Sequence, residues 1–422
     1  MFSTFLRVGR GRGGAEGLRG AKFTSALRPS DYHQATMLER VLLLVAAGGL
    51  LTSTIFLLLA LAGAVRFRRG ARTPRAHAEY LPPVTVLKPV HGMEPRLGQG
   101  LESFFRQDYP EFEIIFGARR ADDAALALAR ELMQKYPGVR AKIVVAGEPP
   151  WSNAKVYSLV KMMAEASHDL LVISDSDVEV ERNYLREVVQ PFRDPQVGCV
   201  TCLYRGVPVD GLWSRLEALG MSVEFVSGVL IADLLEGMKF ALGPTMATRK
   251  QALEKIGGFG AFAEYCADDY LLGNRVNAAG YKVVLSGHVI NHIVLNRSLG
   301  ASLAHQVRWM KSTRYSRPKG HLGTGLTFAM PFGLLGLLAG GLMGRWGLGA
   351  ALLGIALANR LVQALAIGWG VVRDREALRF AWLYPLRDLM GFGFWLASYF
   401  GNQIDWRGER YRFEAGGKMV RM

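Results

Sequence analysis

The feature that most constrains this chain is an apolar run at residues 41–65, which contains no charged side chain. About 20 apolar residues in a helix cross the hydrocarbon core of a bilayer, so the run predicts a membrane-spanning helix. It is too long for the hydrophobic region of a cleaved signal peptide. Basic residues favour the cytoplasmic side of a membrane, so we expect the chain after residue 65 to be cytoplasmic. The basic residues that support this orientation are Arg66, Arg68, Arg69, Arg72 and Arg75.

Residues 1–36 are basic, rich in glycine and without periodicity, which predicts a disordered extension. Their positive charge opposes the orientation derived from the arginines after the apolar run. Translation from Met37, just before that run, would remove the conflict. We therefore expect residues 1–36 to be dispensable and residues 37–65 to form the first membrane helix.

The chain becomes apolar again near its end, in a region that we expect to hold membrane helices at residues 324–402 and a tail at 403–422. Residues 326–344 and 347–372 each predict a spanning helix. A third candidate, residues 378–400, contains Arg387 and Asp388. A charge pair at that depth is costly, so this segment is expected to be re-entrant, broken or packed within protein.

Residues 77–320 alternate short β-rich runs with helical patterns, which predicts an α/β domain with a mostly parallel sheet. In such sheets, ligands bind at the carboxyl ends of the strands. The predicted strands are residues 83–90, 113–117, 142–146 and 169–174, and the predicted helices are 96–105, 122–136 and 154–166. The sequence does not decide whether the apolar segment 213–235 is a core helix or an interfacial helix.

Three acidic motifs follow strands or turns of this domain. Asp122 and Asp123 precede a helix, where an aspartate either caps the helix or binds a ligand. Asp175 and Asp177 flank Ser176 directly after a fully apolar strand, and two carboxylates so spaced can bind one Mg²⁺ or Mn²⁺ ion. Asp268-Asp269 is consistent with the acidic first turn of a helix or with a general base.

A basic motif, His305-Gln306-Val307-Arg308-Trp309, follows the acidic ones. A cation beside an indole stabilises a leaving diphosphate, although the same residue types are common at membrane interfaces. Cys199 and Cys202 form a single CxxC with no second pair of ligands nearby, so we interpret them as strand thiols rather than as a zinc site.

These motifs, in this order after a membrane helix and Val86-Leu87-Lys88-Pro89, resemble the ceramide glucosyltransferase family. Its members are inverting glycosyltransferases of the family 2 type with a GT-A fold and the motifs D, D, D and (Q/R)xxRW. The resemblance runs from about residue 41 to residue 318, and more loosely to residues 406–408. His305 stands where the family has Gln or Arg.

The resemblance implies roles for individual residues. It places Asp123 near the uracil and ribose of a sugar nucleotide, assigns Asp175 and Asp177 to a Mg²⁺ or Mn²⁺ ion, and makes Asp269 the catalytic base. Arg308 and Trp309 match the last family motif and are expected to act in catalysis. The remaining substrate contacts are expected from Asn153, Lys155, Asp268 and His305.

The implied reaction is transfer of a hexose, with UDP-glucose favoured as donor, to the hydroxyl of a membrane lipid such as ceramide. Bacterial hopanoid glycosyltransferases share the motifs, so transfer of N-acetylglucosamine to a hopanoid polyol is an alternative. A processive polysaccharide synthase is a further alternative, but it usually has more membrane helices. A net charge of +15 favours nucleic acid, an anionic membrane surface or a phosphorylated substrate as a partner. The resemblance implies a UDP-sugar donor, a membrane lipid acceptor and a membrane, and no nucleic acid. The expected location is the bacterial inner membrane, with the catalytic domain on its cytoplasmic side.

Overall fold

The computed structural model describes residues 29–72, 79–296, 298–406 and 408–422. Residues 1–28 of the basic extension lie outside these ranges. The first helix begins at Pro29, so the prediction of disorder is wrong for residues 29–36. A proline at the first helical position already has the φ angle that a helix needs, which fits a start at this residue.

An eight-stranded sheet forms the centre of the molecule, with the order β3-β2-β1-β4-β7-β6-β8-β5. Strands β1 to β4 are parallel, and β7 runs antiparallel between β4 and β6. The predicted mostly parallel sheet is therefore confirmed. The strands of this sheet are β1 (Val84–Pro89), β2 (Phe112–Ala118), β3 (Arg140–Val145), β4 (Leu170–Ile173), β5 (Val178–Glu179), β6 (Val197–Pro208), β7 (Met246–Arg249) and β8 (Lys282–Val294).

Helices pack against this sheet, and strands and helices together form the main apolar core. Strand β4 is buried along its whole length, which explains why its sequence is apolar without alternation. The helices are α1 (Pro29–Arg72), α2 (Leu97–Phe105), α3 (Ala124–Lys135), α4 (Ala154–Ala164), α5 (Tyr184–Val189), α6 (Gly211–Leu219), α7 (Val226–Glu236), α8 (Lys250–Lys255), α9 (Asp268–Ala278), α10 (Leu299–Ser316), α11 (Pro318–Thr324), α12 (Met330–Leu342), α13 (Trp346–Gln363), α14 (Arg375–Arg379) and α15 (Tyr384–Ala397).

Three helical stretches of the described chain are long and apolar enough to cross a membrane: Met37–Gly70, Gly211–Glu236 and Trp346–Trp369. The first and the last confirm the apolar helices predicted at residues 41–65 and 347–372. The second joins α6 and α7 through a π-helical turn, Gly220–Phe225. The sequence did not decide whether this segment is a core helix or an interfacial helix. Its observed length makes a membrane-spanning helix a third candidate.

The two other C-terminal segments differ from their predictions. Helix α12 has 13 residues and covers only part of residues 326–344. It begins late because Oδ2 of Asp388 accepts hydrogen bonds from the backbone N–H groups of Ala329 and Met330 at 3.0 and 2.8 Å. Residues 378–400 are divided between the end of α14, a short 3₁₀ turn and α15. The segment is thus broken, and its charge pair is buried within protein.

The final residues form a second sheet rather than the expected tail. Strands β9 (Gln403–Trp406), β10 (Glu409–Phe413) and β11 (Met419–Arg421) pair antiparallel in the order β11-β10-β9. Ile404 is buried between the exposed Gln403 and Asp405, which is the alternation of a strand with one covered face.

Cys199 and Cys202 lie buried in β6, as predicted for strand thiols. Burial raises the pKa of both thiols to about 12, so neither forms a thiolate at neutral pH. Within the part of the chain that the structure describes, no group of three or more His, Cys, Asp and Glu side chains is arranged to hold a metal.

Candidate active site

The acidic motifs meet at one edge of the eight-stranded sheet. Strands β1 and β4 are parallel, with Leu87 opposite Ile173, so the segments that follow them leave the sheet side by side. Strand β7 is antiparallel to β4, with Met246 opposite Ile173, so the segment before β7 reaches the same edge. This arrangement brings Gly243, just before β7, next to Asp175, just after β4.

Gly243 lies beside two carboxylates that come from distant parts of the chain. A Cβ atom built on Gly243 would be 3.2 Å from Oδ2 of Asp269 and 3.4 Å from Oδ2 of Asp175. The two oxygens therefore face one small space, which a side chain at position 243 would fill. Glycine at this position leaves both oxygens uncrowded.

Asp269 lies in the first turn of α9 and is held in place by backbone groups. Its Oδ2 accepts a hydrogen bond from the N–H of Gly243 at 2.8 Å, and its Oδ1 accepts one from the N–H of Tyr270 at 2.7 Å. Burial raises the pKa of Asp269 to about 6, the charge of Asp268 adds to this effect, and Lys155 opposes it. A carboxylate with this pKa can take a proton near neutral pH, as a general base must.

Lys155 links the second and third acidic motifs. Its Nζ lies 2.7 Å from Oδ1 of Asp175 and 3.3 Å from Oδ2 of Asp268. Burial alone would lower the pKa of Lys155, but the two carboxylates outweigh burial and raise it. The lysine therefore stays charged and fixes the position of both acids.

Asn153 is fully buried at the N-terminus of the helix that carries Lys155. Its Oδ1 accepts a hydrogen bond from the N–H of Val156 at 3.1 Å, and its Nδ2 donates to the carbonyl oxygen of Tyr265 at 2.8 Å. These contacts use the amide to cap α4. Asn153 therefore acts on the site through the helix that it caps, and its predicted nucleotide contact stays a prediction.

Asp177 faces His292 of β8, with 3.6 Å between Oδ2 and Nε2. Its Oδ1 and the Nδ1 of His292 are buried and have no hydrogen-bond partner among the described residues. A buried carboxylate oxygen without a partner is costly unless a ligand pairs with it, so Oδ1 of Asp177 has the capacity to bind a divalent cation. Mg²⁺ is often bound by one or two protein groups together with the phosphates of a substrate.

Lys88, the buried lysine of β1, supports the acidic turn from below. Its Nζ donates hydrogen bonds to the carbonyl oxygen of Asp175 and, at 3.3 Å, to Oγ of Ser174. Burial lowers the pKa of Lys88 to about 7, although the charges of Asp177 and Asp175 oppose this effect. In the sequence, Lys88 contributes only to the family resemblance, whereas the structure shows that it binds the turn that contains Asp175.

Asp123 caps α3, and its side chain is only 8% exposed. Its Oδ1 accepts hydrogen bonds from the N–H groups of Ala125 and Gly92, both at 2.9 Å. The carboxylate thus ties the loop after β1 to α3 at the same edge of the sheet. Asp122, in contrast, is exposed and pairs with Arg120. The predicted contact of Asp123 with uracil and ribose stays a prediction.

His305 of the basic motif is held by a glutamate that the sequence had not indicated. Its Nδ1 lies 2.6 Å from Oε1 of Glu217 in α6, and the Glu217 side chain is 1% exposed. Ser302 and Asn296 also donate hydrogen bonds to this carboxylate, at 2.8 and 3.0 Å. The imidazole lies 4.6 Å from the ring of Trp309. The basic motif is therefore fixed to the candidate membrane span Gly211–Glu236.

Arg308 and Trp309 contact different parts of the molecule. The guanidinium of Arg308 lies 5.7 Å from the ring of Trp406 in β9. Trp309 is partly buried against the core of the sheet domain. Their predicted part in catalysis stays a prediction.

The sheet, its acidic edge and the flanking apolar helices together match one known family. The sequence model of glycosyl transferase family 21 matches residues 42–419. The chain belongs to glycosyl transferase family 21. The match extends from the first apolar helix through the acidic edge to the C-terminal sheet, so it confirms the resemblance inferred from the four motifs.

The curated relatives of this family 21 chain include ceramide glucosyltransferase 1 of Caenorhabditis elegans. It is 30% identical over 209 residues, which are 49% of this chain and 45% of that protein. The probable glycosyltransferase YdaM of Bacillus subtilis, another curated relative, is 26% identical over 224 residues, which are 51% of this chain and 52% of that protein. The chain spans about half the length of the curated relatives it matches.

Among solved structures, a mannosyltransferase from Pyrobaculum calidifontis in complex with GDP-Man and Mn²⁺ is 18% identical, with a TM-score of 0.47. The similarity covers 84% of this chain and 97% of that one. The predicted fold class, an α/β GT-A domain with apolar helices in the N-terminal and C-terminal regions, is confirmed for this family 21 chain by the family and the observed sheet. The family name does not specify the donor sugar or the acceptor lipid, and both stay predictions.

Proposed function

We propose that this chain is an inverting hexosyltransferase that moves glucose from UDP-glucose to the hydroxyl of a membrane lipid such as ceramide. The observation that carries the proposal is the space beside Gly243, which Oδ2 of Asp175 and Oδ2 of Asp269 both face. The names of the curated relatives support glucose and ceramide as substrates.

Asp269 is the group proposed to accept the proton. The lipid hydroxyl attacks the anomeric carbon while Oδ2 of Asp269 removes its proton, and the bond from that carbon to the diphosphate breaks. One displacement of this kind inverts the configuration of the sugar. General-base assistance contributes about 10²–10⁴ in rate, and the pKa of about 6 keeps Asp269 in its basic form at neutral pH.

The negative charge of the leaving diphosphate has to be stabilised by positive charge in the site. Arg308 donates hydrogen bonds to phosphate oxygens and stabilises the negative charge that develops there. Asp177 would hold Mg²⁺ or Mn²⁺, with Asp175 beside it, because the buried Oδ1 of Asp177 lacks a partner among the described residues. When bound, this ion neutralises the departing diphosphate.

A continuous series of contacts connects the site with the candidate membrane helices. The ring of Tyr204 lies 5.3 Å from that of His292 and 5.0 Å from that of Phe225, which belongs to the π-helical turn of Gly211–Glu236. Farther along the same helix, Asp233 pairs with Arg66 of α1 at 3.7 Å. We propose that a lipid hydroxyl reaches the acidic edge from the membrane along α7.

The proposal is tested with protein purified in detergent, radiolabelled UDP-glucose or UDP-N-acetylglucosamine, and a panel of ceramide, diacylglycerol and a hopanoid polyol. We expect label from UDP-glucose in a β-glucosylated ceramide. Transfer of N-acetylglucosamine to the hopanoid would show that the proposed donor and acceptor are wrong. A polymeric product would show that the enzyme is a polysaccharide synthase. We also expect EDTA to abolish activity and added Mn²⁺ to restore it, whereas full activity in excess EDTA would remove the metal from the mechanism.

A further inference from the structure

The C-terminal sheet packs on the helix that carries the basic motif. Phe413 of β10 stacks on Tyr315 of α10 with 5.2 Å between ring centroids. Nζ of Lys311, also in α10, donates a hydrogen bond to the carbonyl oxygen of Gln403 at 3.0 Å. Apolar packing and polar contacts thus fix the sheet to the α10 face that includes Arg308.

The same sheet is bonded to the segment that leads into Asp268 and Asp269. The backbone N–H of Met419 donates to the carbonyl oxygen of Glu264 at 2.6 Å. Lys418 pairs with Tyr265 through a β-bridge and with the carboxylate of Glu264 at 2.6 Å. The carbonyl oxygen of Tyr265 is the one that the Asn153 amide binds, so β11 supports the base and the cap of α4 together.

Two further contacts join the C-terminal sheet to segments near the acidic edge. Oγ of Ser152, next to the α4 cap, donates to the carbonyl oxygen of Met419 at 2.9 Å. Glu409 of β10 lies 3.7 Å from Arg119, which directly follows β2 on the carboxyl side of the sheet. Three strands near the end of the chain therefore contact segments after β2, before α4, before α9 and on α10.

Trp406 of this sheet meets the basic motif directly. The guanidinium of Arg308 lies 5.7 Å from its ring, within the range of a cation–π contact. An aromatic face restricts the rotation of an arginine, and the N–H groups of the guanidinium still donate in their own plane. Trp406 is thus placed to hold Arg308 in one orientation.

We propose that the C-terminal sheet is a wall of the nucleotide-sugar site and that Trp406 is a positioning residue for Arg308 at the leaving diphosphate. This inference rests on the proposed function, because it takes the ligand of Arg308 to be the diphosphate of the donor. It assigns residues 403–422 to the catalytic machinery, although they follow the membrane helices in the sequence.

The test uses the full-length protein in detergent and compares the affinities of UDP and uridine by calorimetry and competition. Trp406→Leu keeps an apolar side chain but removes the aromatic face, and Trp406→Phe keeps an aromatic face. We expect Trp406→Leu to weaken UDP binding about tenfold and to leave uridine binding within twofold, with Trp406→Phe close to the wild type. In an Arg308→Ala background, Trp406→Leu should cause no further loss of UDP affinity.

A matched control is Trp382→Leu, because Trp382 is 65% exposed and lies outside the sheet. It should leave both affinities unchanged. Equal losses for UDP and uridine, or a loss that persists in the Arg308→Ala background, would show that Trp406 serves only the packing of the sheet. Unchanged UDP affinity in folded Trp406→Leu would overturn the inference alone, whereas a wild-type protein that binds no UDP would overturn the proposed donor.

Discussion

Two regions of the molecule contain aspartates with buried carboxylate oxygens, and the hydrogen bonds of these oxygens differ. Between α12, α13 and α15, Asp388 uses both of its oxygens: Oδ1 accepts a hydrogen bond from Arg360 at 2.8 Å, and Oδ2 accepts two from the backbone at the start of α12. At the sheet edge, Oδ1 of Asp177 is buried with no partner among the described residues. Asp269, at the same edge, has a pKa raised by burial to about 6.

The difference separates a structural charge from a functional one. A buried carboxylate whose hydrogen bonds are all made within the chain contributes to the geometry of the fold and has no capacity for a ligand. A buried carboxylate oxygen without a hydrogen-bond partner in the chain has the capacity to bind a substrate, a cation or a proton. We therefore expect changes in the first region to alter stability and changes in the second to alter the reaction.

The largest effect is expected for Asp269→Asn, which keeps the shape of the side chain and removes the base. Turnover should fall by about 10²–10⁴, while the affinity for UDP-glucose stays nearly unchanged, because the interaction that is lost belongs to the transition state. Initial rates with the lipid acceptor and calorimetry with the donor give the two quantities.

Asp175→Asn is the matched comparison, since it also removes one negative charge from the edge. It takes away the partner of Lys155 and a group beside the proposed cation, so it should weaken donor binding as well as turnover. Added Mn²⁺ should partly restore donor binding and turnover of Asp175→Asn. If Asp269→Asn loses donor affinity as severely as Asp175→Asn, then Asp269 binds the donor and the assignment of the base is wrong.

Asp388→Asn should act on stability instead. Removing one partner of a buried ion pair costs about 3–5 kcal/mol, because the other charge is left without compensation. We expect a lower Tm of the detergent-solubilised protein and a kcat per folded molecule close to the wild type. The double change Arg360→Met with Asp388→Asn should recover much of the loss, because no charge is left uncompensated and the amide oxygen can still accept the N–H groups of Ala329 and Met330. A fall in kcat without a fall in Tm would place Asp388 with the functional charges.

The sequence was sufficient to predict the position of a site residue where that position depends on a local pattern. Asp175 and Asp177 follow an apolar run that predicts a buried strand, and the edge position of their turn follows from that strand. Asp268 and Asp269 were likewise located at the start of a helix, where α9 begins. The expected edge of the sheet therefore contains the expected acids.

Partners that meet through long-range pairing were not predictable in this way. His292 reaches Asp177 only because β8 pairs with β5, with His292 opposite Val178. Glu217 meets His305 only because α6 packs beside α10, and an acid in an apolar segment gives no sign of its partner. The C-terminal sheet was missed because its short strands gain their stability from α10 rather than from one another.

A smaller effect is expected from pH. Burial raises the pKa of Asp269 to about 6, so the basic form predominates above that pH and is lost as the pH falls through it. At saturating donor, kcat should rise to a plateau above about pH 7 and be about tenfold lower at pH 5. Asp268→Asn should move the midpoint to lower pH, because the charge of Asp268 helps to raise the pKa of Asp269. A profile without a midpoint near 6 would contradict the assignment.

The smallest effect is expected for Glu217→Gln, and it bears on a residue that combines features of both regions. Glu217 is buried and accepts three hydrogen bonds, like Asp388, but one donor is His305 of the basic motif. The change keeps the shape of the side chain and weakens a charge-assisted contact. Trp309 still packs against the imidazole, so we expect kcat to fall only about three- to fivefold and Tm to change little.

The background His305→Gln decides how that loss arises. Glutamine at position 305 matches the family pattern, and its amide can donate a hydrogen bond equally to a carboxylate or to an amide oxygen at position 217. If Glu217 acts by orienting His305, then Glu217→Gln should cost nothing further in the His305→Gln protein. If the loss in kcat persists there, Glu217 acts through Ser302 and Asn296 on the packing of α10, and it belongs with Asp388 among the structural charges. The pair of variants thus assigns Glu217 to one region or the other.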